Sequence, residues 1–472
     1  MKSLLNYTQH GEGPAMIIVA ESARSLKGYL AQCNVKERAV MMFMRLVLAF
    51  ILHRGRMSCS AAAVSICSEA VHRGEVTRFL AQVRWRKFDF NEPLVRALIA
   101  KESLRGTFLF IVDATQKTQS GKKTQNTYVC SAGNRTRQKN HKNKRYNKTK
   151  TASKTIHSFT FGLLITPSGI RIPCQMPHYT AEYSAQRKVP ARTTAECAAE
   201  MIRTLPVPAG AKVIVLGDSA YDAQVVRESC EEKGYTWIFP ANPERVFEGT
   251  KGNRPKLRSR LKDWTSLSLK RTRLRASTGK YASYRRLSKY RVGPKMKHRE
   301  YYTHQEKAEV RNVGSVLLIF STTTPNLKQA TPDDVKILMT NATDLSVLEV
   351  IELYSLRWQI ELFFKELKSI LGFDQYSFHD FRAVETWVEL AITTVLFLED
   401  LRITKMKDRR LDEEKRRWWA MQRLHGLCLA YRQESTGQEL KYINDRLKTS
   451  GGINKLKRLM ATAVPIEYRS AA

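Results

Sequence analysis

Apolar and polar positions follow two different periods along the chain, and the first hundred residues follow the helical one. The apolar run at 37–53 predicts a buried helix, and the segment 58–86 predicts two shorter helices separated at Arg73 and Gly74. Two short helices joined by a glycine-containing turn are compatible with a helix-turn-helix DNA reader, although most such patterns are simply packed helices. We therefore expect residues 1–100 to form a helical N-terminal domain with DNA binding as its candidate role.

After this region the pattern changes to β-rich runs that alternate with helices. Buried strands are predicted for TFLFIV, which is followed by Asp113, for HSFTFGLLI (157–165), and for KVIVLG, which is followed by Asp218. Helices are predicted at 195–205 and 223–232. Two of the strands are thus expected to end in an aspartate. An acid at the end of a buried strand lies at the edge of a sheet, where side chains from several elements converge.

The segment YSLRWQIELFFKELK predicts one amphipathic helix. At about 100° per residue, one arc of roughly 80° collects Tyr354, Arg357, Glu361, Lys365 and Lys368. The opposite, apolar face collects Leu356, Ile360, Phe363, Phe364, Leu367 and Leu371. A single carboxylate among cations suits a metal ion beside a phosphodiester. The alternative is a solvated face on which Glu361 forms surface ion pairs at helical spacing.

The charge balance favours a polyanionic partner. The 472 residues include 80 Lys and Arg against 44 Asp and Glu, a formal net charge of +36, and 43% are hydrophobic. The basic residues are dispersed through domain-sized segments, which favours nucleic acid over a membrane surface. Basic residues are dense at 135–150 and at 251–299, where aromatic residues lie among them, a mixture that contacts phosphates and stacks bases. Exposed basic loops without a defined role are the alternative.

The cysteines and the apolar runs exclude several other classes. The eight cysteines form no CxxC pair, so neither a zinc cage nor a disulfide framework is expected. The longest apolar run, at 40–52, is interrupted by Arg45 and is shorter than the roughly 20 residues that a membrane span needs. We expect a cytoplasmic protein without a membrane partner.

Three acids from separate elements can be combined into one site. Asp113 and Asp218 follow predicted strands and Glu361 lies on a predicted helix. Three such carboxylates can hold two Mg²⁺ ions about 3.5 to 4 Å apart and support an in-line displacement at phosphorus. Each aspartate alone is weak evidence, because aspartates also end strands in ordinary turns.

The spacing of Tyr354, Arg357, Glu361 and Lys368 resembles the YREK signature of bacterial DDE insertion-sequence transposases of the insertion sequence four family. The motifs VDATQKT and LGDSAYDA resemble the first and second acidic motifs of that family, and the resemblance covers roughly residues 105–375. Ala220 stands where the family often has glycine.

The resemblance implies an α/β fold with a ribonuclease-H-like catalytic core at 101–375. A basic, β-rich insertion at about 241–340 would interrupt this core. A helical C-terminal domain at 376–472 would support a homodimer, with a simple helical cap as the alternative. The helical N-terminal domain would complete the chain.

The resemblance also implies the chemistry. The ligands of two Mg²⁺ ions, for which Mn²⁺ could substitute, would be Asp113, Asp218 and Glu361. Backbone phosphates would be bound by Tyr354, Arg357 and Lys368, to which helical geometry adds Lys365. The implied function is cut-and-paste transposition: binding of terminal inverted repeats in double-stranded DNA, then strand cleavage and joining, in the bacterial cytosol near the nucleoid. The alternatives are a metal-dependent DNA nuclease and an inactive DNA-binding repressor of the element.

Overall fold

The computed structural model describes most of the chain between residues 20 and 454. The described ranges are 20–33, 35–53, 57–64, 72–82, 89–102, 106–119, 121, 123–131, 153–249, 255–263, 269–274, 280–285, 299–324, 334–449 and 451–454. The basic segment 135–150, much of the segment 251–299 and the residues that join the two short N-terminal helices lie outside these ranges.

Helices make up both ends of the described chain and also lie in some of the intervals between strands. In chain order they are α1 (Ala20–Leu30), α2 (Glu37–Leu52), α3 (Cys59–Val64), α4 (Arg73–Gln82), α5 (Glu92–Ala100), α6 (Ala181–Arg187), α7 (Thr194–Arg203), α8 (Gln224–Glu232), α9 (Val347–Ser355), α10 (Trp358–Glu366), α11 (Phe381–Lys407), α12 (Glu413–Met421) and α13 (Leu424–Leu447).

The described strands belong to one mixed sheet. They are β1 (Thr107–Gln119), β2 (Tyr128–Ser131), β3 (Ser153–Ile165), β4 (Arg171–Pro177), β5 (Lys212–Leu216), β6 (Thr236–Pro240), β7 (Lys270–Leu274), β8 (Arg299–Val310), β9 (Gly314–Thr322) and β10 (Lys336–Thr340). The strand order is β2-β3-β1-β5-β6-β10-β9-β8-β7. Strand β4 is not part of this order and pairs with β3. The pairs β1–β5 and β5–β6 are parallel, and the other ladders are antiparallel.

The centre of the sheet consists of strands that are buried on both faces. Residues 108–112 of β1 are at most 1% exposed, and residues 213–216 of β5 are at most 2% exposed. Close packing across β1 and β3 requires Gly162, because a Cβ atom there would lie 2.4 Å from the ring of Phe110. Continuous apolar runs are typical of strands covered on both faces.

The structure corrects the prediction that β1 ends at Asp113. The strand continues to Gln119, since β3 pairs with it in antiparallel register along residues 109–119. The parallel partner β5, in contrast, pairs with β1 only as far as Ile111. Asp113 therefore lies at the point where the neighbouring strand ends, although its own strand does not.

The structure also corrects the single helix predicted across 354–368. Helix α9 ends at Ser355, and α10 begins at Trp358 after a turn in which the amide of Arg357 donates to the carbonyl of Tyr354 at 3.0 Å. A π-helical turn, Leu367–Leu371, follows α10. The predicted apolar face is confirmed: its residues are at most 8% exposed, namely Leu356, Ile360, Phe363, Phe364, Leu367 and Leu371.

The N-terminal helices pack against the long helix α11. The predicted buried helix at 37–53 is confirmed as α2, in which residues 46–51 are at most 2% exposed. The helix break predicted at Arg73 and Gly74 is wrong, because both residues lie in the first turn of α4. The rings of Phe50 and Trp387 are 4.8 Å apart, which places α2 directly on α11. Within the described residues, no helix is both long enough and apolar enough to cross a bilayer.

Strands β7 to β9 continue the central sheet beyond β10. The strand β10 pairs with β6 on one side and with β9 on the other. The chain therefore leaves the sheet after β6 and returns beside it at β10. Helices α9 and α10 follow β10 directly, so the segment between β6 and β10 is followed closely by Tyr354, Arg357 and Glu361.

Candidate active site

The register of β1 and β5 places two of the predicted acids side by side. The last paired residues are Ile111 and Leu216. Asp113 and Asp218 each lie two residues further along their own chain segments. Because neighbouring residues in parallel strands advance together, the two aspartates leave the core at the same edge of the sheet.

The Asp113 carboxyl group lies half-enclosed at this edge and is influenced by both other acids. One of its oxygens, Oδ1, accepts a hydrogen bond from the amide of Ala114 at 2.8 Å. The pKa of Asp113 is raised to about 6, mainly by burial; the charges of Asp218 and Glu361 contribute to the rise, whereas the hydrogen bond from Ala114 and the charge of Arg357 oppose it. The three carboxylates are therefore electrostatically coupled, as expected for acids that form one site.

Arg357 joins two of the acids. It lies at the N-cap of α10, where Nη1 is 3.3 Å from Oδ2 of Asp113 and Nη2 donates to Oε1 of Glu361. The side chains of Asp113 and Arg357 are each 18% exposed and that of Glu361 is 31% exposed, so water screens these contacts only in part. The ion pair of Arg357 and Glu361 at helical spacing is present, yet it does not lie on a solvated face.

A short 3₁₀ turn (Ser219–Tyr221) holds Asp218 at the end of β5. Its Oδ1 accepts from the amide of Ala220 at 2.8 Å, so the aspartate caps the turn. Gly217 leaves no room for a side chain, because a Cβ there would lie 2.9 Å from the Cβ of Tyr221. Tyr221 itself is 1% exposed and anchors the turn in the core.

The next acid along this turn, Asp222, is tied to the rest of the molecule. Its side chain is 2% exposed and lies 2.6 Å from Nη1 of Arg227 and 2.6 Å from Nε of Arg245. Arg245 lies beyond β6, and Arg227 also donates to the carbonyl of Asn312, between β8 and β9. Asp222 thus connects the turn that carries Asp218 to the segment inserted between β6 and β10.

The predicted phosphate-binding side chains do not all reach the acids. Tyr354 is close: burial raises its pKa to about 12, Arg357 lowers it, and Asp218 and Asp113 raise it. Lys365 is exposed on α10, one turn beyond Glu361, and Lys368 is half-buried in the π-helical turn. Within the described part of the chain, neither lysine forms an ion pair, and no contact joins either of them to the three acids.

The donor set of the site fits a hard divalent cation in its chemistry. Carboxylate oxygens are the ligands that Mg²⁺ prefers, and the pKa of Asp113 is raised by burial and also by neighbouring negative charges, which a cation would offset. As the side chains stand, no group of three His, Cys, Asp or Glu among the described residues is arranged to hold a metal ion. The guanidinium of Arg357 lies between Asp113 and Glu361 instead.

Sequence reasoning missed two residues of this site. Asp222 resembles any other polar residue of a turn, and only its distance of five positions from Arg227 hints at a pair. Lys336 begins β10, and its Nζ lies 5.0 Å from the centroid of the Tyr354 ring. No motif distinguishes this lysine, because its position depends on the pairing of β10 with β6 and β9.

Comparison with known families agrees with this arrangement. No curated protein matches the chain significantly. Residues 181–398 match the family described as the transposase DDE domain, a range that includes Asp218, Lys336 and Glu361 and begins after Asp113. The match covers a little under half of the chain. It supports a DDE transposase, an enzyme that cuts and joins DNA.

Proposed function

We propose that the chain is the transposase of a bacterial insertion sequence of the insertion sequence four family. It would bind terminal inverted repeats and cleave and join DNA strands in cut-and-paste transposition. The observation that carries this proposal is the coupling of three acids from three separate elements: Arg357 contacts both Asp113 and Glu361, and the charge of Asp218 acts on Asp113. The match of residues 181–398 to the transposase DDE domain gives the coupled acids a reaction class.

The strand order supports a ribonuclease-H-like core. The order β4-β3-β1-β5-β6 combines two antiparallel ladders with two parallel ones. We propose that this core extends over 101–375, with an insertion at about 241–340. Residues 1–100 would contribute a helical DNA-binding domain, and residues 376–472 a helical domain that supports a homodimer.

The proposed ligands of two Mg²⁺ ions, or of Mn²⁺ in their place, are Asp113, Asp218 and Glu361. Bound there, the ions would supply an activated water or 3′ hydroxyl and stabilise the leaving oxygen. Carboxylates from the sheet and from α10 offer oxygen ligands on two sides of the edge. The YREK signature strengthens this assignment, since it places Glu361 among phosphate-binding residues.

The cations and the tyrosine of the signature would hold the DNA. Arg357 offsets the repulsion between Asp113 and Glu361 and keeps the two carboxylates near one another before DNA binds. Tyr354 stays protonated near neutral pH and would donate a hydrogen bond to a phosphate oxygen. Lys365 and Lys368 would extend the contact along the backbone of double-stranded DNA in the bacterial cytosol.

A plasmid that carries the inverted repeats flanking the gene tests this proposal. Purified protein with Mg²⁺ should excise the segment between the repeats and join it to a second plasmid. Glu361→Gln should reduce both steps by about 10³-fold or more, since it removes a charge needed at the reacting phosphate. The matched control is Glu92→Gln, which changes a 53% exposed surface carboxylate of α5.

The products separate the alternatives. Excision without any joined product would favour a nuclease. Binding to the repeats without strand cleavage, in the unaltered protein, would favour a repressor. If Glu361→Gln cleaves and joins as the unaltered protein does, Glu361 has no catalytic role and the proposed site is wrong.

A further inference from the structure

The lysine that begins β10 is placed against the signature residues of the site. Lys336 is exposed, whereas residues 337–340 of the same strand are buried, so the end of a rigid strand presents its side chain. Its ammonium nitrogen lies 5.0 Å from the ring centroid of Tyr354. A cation over an aromatic ring at this distance is held by the ring's electron-rich face.

The charges of Arg357 and Glu361 both act on Lys336. Partial desolvation lowers the pKa of Lys336, and the charge of Arg357 lowers it further, whereas Glu361 raises it. Lys336 therefore faces the same space as Arg357 and Glu361. It reaches that space from the sheet, at the start of β10.

Lys336 differs from Arg357 in how its charge is used. Arg357 contacts two carboxylates, Asp113 and Glu361. For Lys336, none of the described residues offers a carboxylate within ion-pair distance; its described side-chain contact is the ring of Tyr354. Its exposed ammonium group is therefore available to a ligand that supplies a negative charge.

We propose that Lys336 binds a backbone phosphate of the DNA at the active site, with the Tyr354 ring positioning its ammonium group. The inference rests on the proposed function and adds to it a contact from the central sheet, outside the signature segment. A lysine suits this task because a phosphate can approach its compact charge from several directions. The N–H groups that do not face the ring remain available as donors.

The strand β5 offers a matched control. Lys212 begins that strand as Lys336 begins β10, and both strands have one exposed residue followed by four buried ones. Lys212 lies opposite Thr107 at the start of β1, whereas Asp218 follows the other end of β5. Replacing Lys212 therefore removes the same charge from an equivalent strand position at the far edge of the sheet.

Equilibrium binding of a labelled duplex that contains the terminal repeat gives the test. Fluorescence anisotropy in EDTA, at several salt concentrations, measures DNA contacts without any reaction. Lys336→Gln should weaken binding about tenfold at low salt and reduce the slope of log K against log salt by about one. Lys336→Arg should keep most of the affinity, and Lys212→Gln should match the unaltered protein.

The same titrations overturn the inference if Lys336→Gln and Lys212→Gln give equal affinities and equal salt slopes while the unaltered protein binds the repeat. Circular dichroism confirms that each variant is folded, and Lys336→Arg supports the inference only if it retains binding that Lys336→Gln loses. Failure of the proposed function has a different signature: the unaltered protein then binds the repeat no better than unrelated DNA and makes no joined product.

Discussion

The turn after β5 carries two aspartates whose surroundings are opposite in burial and in ion pairing. Asp222 is 2% exposed and lies within 2.6 Å of two guanidinium groups. Asp218 is partly exposed, accepts one backbone hydrogen bond, and has no ion pair with any described residue. Within the described residues, a carboxylate with two ion pairs and a carboxylate with none thus lie four positions apart in the chain.

The difference shows how one turn divides two tasks. The paired carboxylate fixes the turn, because Arg227 and Arg245 approach it from α8 and from beyond β6. The unpaired carboxylate stays available and raises the pKa of Asp113 across the sheet edge. We infer that the cations around Asp222 are structural, whereas the charge of Asp218 is kept for a ligand.

Removal of the paired carboxylate should cause the largest loss of stability. Asp222→Ala leaves two guanidinium groups without their counter-ion, and one of them is only 5% exposed. A broken buried pair of this kind costs about 3 to 5 kcal/mol. Urea unfolding followed by circular dichroism measures the loss. Asp445→Ala, which removes a 56% exposed carboxylate, serves as the control and should unfold as the unaltered protein does.

A loss below about 1 kcal/mol for Asp222→Ala would show that water already satisfies Arg227 and Arg245, and the contrast with Asp218 would disappear.

Glu389 on α11 extends the comparison to a buried carboxyl group that has no ion pair with any residue the structure describes. It accepts from Asn91 at 2.5 Å and from Gln175 at 2.6 Å, and burial raises its pKa to about 8. The folded state thus holds this proton more tightly than the unfolded chain, so the free energy of unfolding should fall as pH rises from about 4.5 to 8. Glu389→Gln mimics the protonated group and should remove on the order of 4 kcal/mol of that fall.

Unfolding midpoints at pH 5 and pH 8 test this expectation, with Glu92→Gln as the exposed control. If Glu389→Gln and the unaltered protein lose equal stability between the two pH values, Glu389 is already ionised in the folded state.

Neutralising the unpaired carboxylate should have the smallest effect on stability. Asp218→Asn keeps the oxygen that accepts from Ala220 and removes a charge that repels Asp113. We expect a change within about 0.5 kcal/mol, together with a lower pKa for Asp113. Thermal unfolding measures the first quantity, and NMR titration of selectively labelled aspartate measures the second. An unchanged pKa of Asp113 would mean that the two acids do not share a site.

Much of the sheet followed from local patterns. Continuous apolar runs predicted β3 and β5, and an aspartate after such a run indicated the edge of the sheet. The end of β1 could not be predicted in this way. Its polar second half is a strand because β3 pairs with it, and that pairing is non-local.

The break in the signature segment shows the same limit. Spacing alone placed Tyr354 and Glu361 on one helix, yet the structure assigns them to α9 and α10. Both residues still reach the site, because Arg357 at the junction contacts Glu361 and acts on Tyr354. No sequence pattern predicted that Lys336 lies near the site, because its position depends on strands that pair across about a hundred residues of chain.

The pairing of β6 with β10 has a consequence for how this chain can change over evolutionary time. The two strands are hydrogen-bonded neighbours, so the stretch between them departs and rejoins at points about 4.8 Å apart. Such a segment can be lengthened, shortened or exchanged while both of its ends stay hydrogen-bonded within the same sheet. We infer that replacement of this segment would leave the sheet edge that carries Asp113 and Asp218 in place.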